Sequence, residues 1–335
     1  MHATPVLRTL SAALAASTLM AAGTAPALAG DAAGSAATYP SRPIRIVIPF
    51  TAGSASDLLA RLVGPKLAEA WGQQVVVDNR PSAGGTVAGS IVATSTPDGH
   101  TLMVSSSAFA GSAALFTKLP YDTVRDFSGV SLVASNPLVL IVGPALGARS
   151  VKDLIALARQ KPGQLNYASS GIGSGTHFGA ELFRQTAGID VVHIPYKGTP
   201  ETVTDAMTGR VHYAMPPILA TIPLVREGRV LALAVTTRDR APMLPDVPTI
   251  AEAALPGYEY DGWFGFIAPS RTPRLVVDKL AREIARIVEL PDVKERIAHM
   301  GGRARSTAPA EFDQLIRSEI ATRGKVFRAA GVKPE

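Results

Sequence analysis

The stretch IRIVIPFTAGSASDLLARLV, residues 44–63, decides how this chain folds. An apolar, β-branched run stops at Pro49-Phe50, as a buried strand does. Thr51, Ala52, Gly53 and Ser54 make a turn of small residues. Leu58, Leu59, Leu62, Val63 and Leu67 then recur at helical spacing, which predicts a helix over 57–71. A strand feeding a small-residue turn and then a helix start is the unit of an α/β sheet, and that helix start is a natural seat for an anion. Three anions fit this pattern: a nucleotide phosphate, the oxyanion of a reaction, or the carboxylate of a solute.

The pattern repeats along the chain. QVVVDNR, PDGHTLMVSSS, SGVSLVASNPLVLIVG, LNYASS, VVHIP, VHYAMPP, VLALAVTT and WFGFIAP read as strands, the third broken at Asn136-Pro137. VKDLIALARQ is an amphipathic helix, and further helices are expected over 87–95 and 200–208 and from Thr272 and Pro309. Alternation of this kind predicts α/β architecture with parallel sheets covered on both faces. YASSGIGSGTHFGAELF, residues 167–183, repeats the strand, small-residue loop and helix of the opening stretch more than a hundred residues later. Two similar lobes follow, each offering a helix N-terminus at the carboxyl end of its sheet; a (β/α)8 barrel is the competitor on length alone.

The first 29 residues read as an export signal: Arg8, an apolar small-residue run to Ala25, then Ala27-Leu28-Ala29 before Gly30. The residues from 30 to 38 read as a disordered leader, and about 300 residues remain for two α/β domains. The absence of cysteine excludes disulfides, thiolate metal sites, catalytic thiols and a lipid anchor on cysteine. A freely diffusing periplasmic protein fits best. Without Arg8 the formal charge falls from +6 to +5, and no Lys/Arg run is interleaved with aromatics, so nucleic acid is not an expected partner.

The chemistry narrows further. Neither turn carries the G-x-x-x-x-G-K-[ST] of a phosphate loop, and the dinucleotide pattern starting at Gly171 and Gly173 fails at Thr176. No serine lies in G-x-S-x-G, although Ser174 or Ser107 with His177 keeps a secreted hydrolase open as the rival reading. The six histidines form no metal-binding pair at helical spacing, so no metal or cofactor is expected. Non-covalent anion capture remains, with opposed helix starts near 54–57 and 173–177. Asp57 suits a capping role in the first turn better than contact with an anion. HIPYKG, residues 193–198, offers Tyr196 and Lys197, and Trp263 is either a cleft aromatic or core.

YPSRPIRIVIPFTAGSASDLLARLV, VVVDNRPSAGGTVAG, PDGHTLMV, YASSGIGSGTHFGAELF, HIPYKGTPE, LPDVPTIAEA and WFGFIAPSRTP, in this order from Tyr39 onward, together resemble the Bug family of extracytoplasmic solute receptors of tripartite tricarboxylate transporters. The resemblance implies a type II periplasmic-binding-protein fold, two doubly wound lobes joined by two crossing strands near 133–140 and 258–266. It places the first part of lobe 1 at 30–134, lobe 2 at 135–257 and the return to lobe 1 at 258–335. It implies a small carboxylate as ligand: a di- or tricarboxylate, an acidic amino acid or an aromatic acid. It also implies a monomer that serves a membrane permease or a sensor kinase; a receptor kept only for signalling is a further alternative. Carried over by motif, the site takes Phe50, Ala52, Ser54, Ser56, Asp57, Ser106 and Ser107 from one lobe. The other lobe adds Ser169, Ser170, Gly173, Ser174, His177, Tyr196 and Lys197. Ser54 and Ala55 stand where the family tends to have glycine and Ser56 where it has threonine, and Phe109 is bulky for its segment, which would favour a ligand with an apolar or aromatic body.

Overall fold

The computed structural model describes residues 38–332 apart from 83, 84 and 197. The export signal expected at 1–29, nearly all of the leader and Lys197 lie outside the described residues. β1 (Ile44–Ile48) is covered on both faces, with Ile44, Ile46, Val47 and Ile48 all buried. β2 (Val75–Asn79) and β3 (Thr101–Ser106) flank it in parallel, so that Ile46 sits opposite Val77 on one side and Leu102 on the other. α1 (Ala55–Trp71) starts two residues before the expected 57, because Ser54 caps it by accepting the Asp57 amide. It stops at Gly72, whose φ of 65° favours glycine. Leu59, Val63 and Leu67 pack on the sheet, while Leu58, counted on the same stripe, faces outward at 40 % exposure.

The chain continues through α2 (Thr86–Ala93), α3 (Ala108–Leu115), β4 (Phe127–Pro137), β5 (Val139–Val142), α4 (Val151–Gln160), β6 (Asn166–Ser169), α5 (Gly175–Ala187), β7 (Val192–Pro195) and α6 (Thr199–Thr208). It then forms β8 (Tyr213–Ala214), α7 (Ile222–Arg226), β9 (Leu231–Val235), α8 (Ile250–Ala253), β10 (Asp261–Pro269), α9 (Arg274–Val288), α10 (Pro291–His299) and α11 (Pro309–Ala329). Two five-stranded sheets result, in the orders β2-β1-β3-β10-β4 and β7-β6-β8-β5-β9. The orders correspond position by position, as expected for two similar doubly wound lobes, and two open sheets rule out the barrel.

The sheets are not wholly parallel, and the exceptions follow a rule. β10 runs antiparallel to β3 and β4, and β5 runs antiparallel to β8 and β9. Each is the strand that enters its sheet directly from the other one, so it arrives from the opposite end. The break at Pro137 is the passage from β4 to β5, with Leu138 between them. The return runs from β9 to β10 through residues 236–260.

Two helices hold the lobes together besides the crossings. α11 lays Phe312 against Trp263 (ring centroids 5.0 Å apart) at one end and Phe327 against His177 and Phe178 at the other. Trp263 is therefore core. α3 went unread in the sequence because Ala, Gly and Ser dominate it and most of its residues are buried, which leaves no polar face to set a period. Phe109 on α3 packs with Tyr121 and Phe127, ring centroids 6.3 and 5.1 Å away, so it belongs to the first sheet's core and not to a ligand surface. Gly111 lets α3 touch the loop before α5: a Cβ there would lie 2.0 Å from the Gly173 carbonyl oxygen. Gly111→Ala should therefore wedge α3 from that loop, cost about 1–3 kcal/mol and lower the melting temperature. An unchanged melting temperature would show that α3 does not bear on the second lobe.

Candidate functional site

In an open α/β sheet the crevice for a ligand lies outside the carboxyl ends of the strands, where the strand order reverses. The reversal falls between β1 and β3 in the first sheet and between β6 and β8 in the second. The first crevice is thus bordered by 49–54 with the start of α1, and by Ser106 and Ser107 with the start of α3. The second is bordered by 170–174 with the start of α5, and by 215–217 after β8. The small-residue turns fall where the sequence puts them; the 215–217 segment carries no side-chain signal and was not singled out.

At the first crevice Phe50 is half-buried against the core, and its carbonyl accepts a hydrogen bond from the Asn79 side chain at 3.1 Å. Ala52 is exposed and Ser54 half-buried at the cap of α1. Ser56 is buried and its Oγ is unpartnered. Asp57 turns its carboxylate to the Gly53 amide at 2.9 Å and to the Arg61 guanidinium at 3.1 Å. Burial works to raise its pKa, but the bonds from Arg61 and Gly53 outweigh it and hold the carboxyl below its usual range. Asp57 therefore offsets the positive pole of α1, as the capping reading expects. Ser106 accepts the Ala108 amide, and Ser107, at the head of α3, bonds the Tyr260 hydroxyl at 3.0 Å.

The second crevice is built from a loop that bonds itself. Ser174 caps α5 by accepting the His177 amide at 3.1 Å, and Thr176 Oγ1 binds Ser170 and Ser174 hydroxyls at 2.9 Å each. Gly173 takes a φ of 77°, and its amide donates to His177 Nδ1 at 3.2 Å. His177 itself is fully buried, stacked 4.0 Å from His193 and 4.8 Å from Phe327. Ser169, also buried, bonds His193 Nε2 at 2.6 Å. The Tyr196 hydroxyl donates to Asp205 at 2.6 Å, and its amide to the Ser169 carbonyl at 2.9 Å, so it braces the loop from β7.

The starts of α3 and α5 meet. A Cβ on Gly175, the first residue of α5, would lie 2.6 Å from the Tyr260 hydroxyl and 3.3 Å from Ser107 Oγ. Neither helix has an acidic residue in its first turn, in contrast to α1. Two positive helix ends from opposite lobes thus share one place with no carboxylate of their own helices to neutralise them. Tyr260, which sequence reasoning missed, ties them together. Nothing in the local sequence marks it, because its role comes from the return crossing.

The geometry does not favour nucleophilic chemistry. Among the described residues the His177 ring receives a backbone amide and no serine hydroxyl, and Ser169, the serine bonded to the half-buried His193, is itself buried. No group of three or more metal-ligating side chains occurs among those residues, and no helix there is long and apolar enough to cross a membrane.

Comparison with known proteins agrees with the motif resemblance. The family model described as the tripartite tricarboxylate transporter family receptor matches residues 59–332. The protein BugT of Bordetella pertussis is 36 % identical over 301 residues, 89 % of this chain and 92 % of its own length. Among solved structures, R. palustris Rpa4515 with adipate is similar at a TM-score of 0.81 and 36 % identity, covering 89 % of this chain and all of that one. MatC (Rpa3494) of Rhodopseudomonas palustris with bound malate is similar at a TM-score of 0.76 and 32 % identity, covering 86 % of this chain and 99 % of that one.

The two stacked histidines carry a pH signature. Burial, helped by the nearby His193 and Arg184 charges, pushes the His177 ring down to about 2, and burial pushes His193 down to about 4. Both titrate near 6.5 in an unfolded chain. The unfolded state then takes up protons that the folded state refuses, so stability present above about pH 6.5 is lost as pH falls toward 4. His212, also lowered by burial, acts in the same sense. The melting temperature should fall across that window, and fall less in His193→Gln. A flat profile, or an equal slope in the variant, would contradict this.

Proposed function

The chain belongs to the tripartite tricarboxylate transporter receptor family, and from that premise we propose that it is a periplasmic receptor that captures a small carboxylate between its lobes and hands it to the membrane permease of such a transporter. The observation that carries the carboxylate reading is the meeting of the α3 and α5 starts, from opposite lobes, with no acidic residue in either first turn. First-turn amides lack partners within their helix and present both donors and a positive pole to an anion. Small residues in both turns let the ligand reach that backbone. Ser54 and Ser106 border the first crevice, and Ser170, Gly173 and Ser174 border the second; Asp57, His177 and Tyr196 shape the loops behind them. The adipate and malate held by two related proteins support a dicarboxylate, and export by residues 1–29 completes the reading.

Capture needs no chemistry, only a higher affinity for the ligand than for water. A thermal-shift panel of adipate, malate, citrate, acidic amino acids and aromatic acids tests it. A ligand present at a hundred times its Kd should add about 2.7 kcal/mol and raise the melting temperature. Ser54→Trp, which fills the first crevice, should abolish that rise at a cost of about 1 kcal/mol for the lost cap. A panel in which no carboxylate acts while a neutral sugar or a metal does would overturn the proposal.

A further inference from the structure

Arg323 on α11 is 1 % exposed, although a guanidinium is always charged and carries five N–H donors. Its nearest charge is Glu319, one turn back, which meets only Nε, at 3.1 Å. Nη2 donates to the Tyr260 hydroxyl at 3.2 Å, and Nη1 has no partner among the described residues. The face of the group lies 4.3 Å over the Phe178 ring of α5 and 5.5 Å over that of Tyr260. A cation this deeply enclosed is costly unless paired and fully hydrogen-bonded, and here the pairing is half complete.

The direction of the hydrogen bonds says where the rest of that charge is felt. Arginine can only donate, so Tyr260 accepts from Nη2; either oxygen can be the donor across the 3.0 Å contact with Ser107 Oγ, and the bond from Nη2 favours Tyr260 giving its proton to Ser107. Ser107 then accepts from Tyr260 and keeps its proton to donate. Its side chain makes no capping bond to α3, unlike Ser54 on α1 and Ser174 on α5. The chain of donors ends at the meeting point of the α3 and α5 starts, against Gly175. One guanidinium and two positive helix ends thus converge, with Glu319 the one carboxylate among the described residues bonded to the guanidinium.

We propose that Arg323 is the buried cation of the ligand site, a positioning residue that acts through Tyr260 to turn Ser107 into a donor for a ligand carboxylate. The proposal rests on the carboxylate reading above and adds which residues outside the two loops give it its charge. An anion seated at the end of the relay adds a second negative charge on the side of the guanidinium that Glu319 does not reach, while Nη1 stays unpartnered. The remaining explanation is that Arg323 only clamps α11 to α5 and the return crossing.

Calorimetric titration of the full chain separates the two. The probe is adipate, malate or whichever other carboxylate of the panel above the wild type binds most tightly. Tyr260→Phe removes the middle hydroxyl and Ser107→Ala the last one; both leave every charge in place. Each should weaken the probe by about tenfold or more, as expected for a hydrogen bond to a charged group, with a melting temperature within a few degrees of wild type. Arg323→Met should lose as much, and the Tyr260→Phe and Arg323→Met pair should lose no more than Arg323→Met alone, because both break one relay. If Arg323→Met does not fold, the two hydroxyl variants still decide. A Tyr260→Phe chain that binds as wild type, whatever its melting temperature, overturns the relay and leaves the carboxylate reading standing. A wild type that binds no carboxylate of the panel, adipate and malate included, overturns the carboxylate reading and the role of Arg323 with it.

Discussion

Leu138 and Thr236 hold each other at the place where both passages of the chain between the sheets meet. The Leu138 amide donates to the Thr236 hydroxyl at 3.0 Å, the Thr236 amide donates to the Leu138 carbonyl at 3.0 Å, and the Tyr260 amide donates to the Thr236 carbonyl at 2.8 Å. All three residues are buried, so these bonds are made away from competing water. The outgoing and returning segments are thus bonded to one another and not each to a separate lobe. Because each passage delivers one reversed strand, β5 to the second sheet and β10 to the first, the remaining strands of both sheets aim their carboxyl ends at the same gap. The placement of the crevices, of Tyr260 and of the meeting helix ends all follows from that tie.

The three helix starts differ in charge, and the difference gives the site its polarity. α1 carries Asp57, whose carboxylate is held ionised by Gly53 and Arg61, so its pole is largely answered within its own turn. α3 and α5 carry no such residue. The second-lobe loop spends its hydroxyls on itself, through Ser170, Ser174 and Thr176, and so presents backbone more than side chains. This is the logic of a preformed seat, in which little ordering has to accompany binding.

Much of this was legible in the sequence, for physical reasons that differ by element. β1, its turn and α1 were readable because a fully covered strand, small residues and a helical stripe each leave a local mark. The same marks recur at β6 and α5, and the pair gave away the two lobes. α3 was hidden, since a helix enclosed between lobes needs no polar face. The reversed strands were hidden too, because orientation within a sheet is set by where the chain comes from and not by composition. Phe109 was misread as facing a ligand, since a bulky ring among small residues looks the same in sequence whether it fills a core or lines a cleft. Among the expected site residues, Ser54 and Ser174 lie at the helix starts read near 54–57 and 173–177, while Tyr260 depends on contacts with residues 63 and 153 positions away.

The central claim is that a carboxylate sits between the lobes at the α3 and α5 starts. A crystal structure of the protein with a bound dicarboxylate tests it most directly. One carboxylate should lie within hydrogen-bond distance of first-turn amides of α5 and of the Ser107 hydroxyl, bordered by the 51–54 turn. Density for the ligand elsewhere, for instance in the groove of about 560 Å³ lined by Phe116, Tyr121, Arg125 and Ile320, with the meeting point of the two helices unchanged, would contradict it.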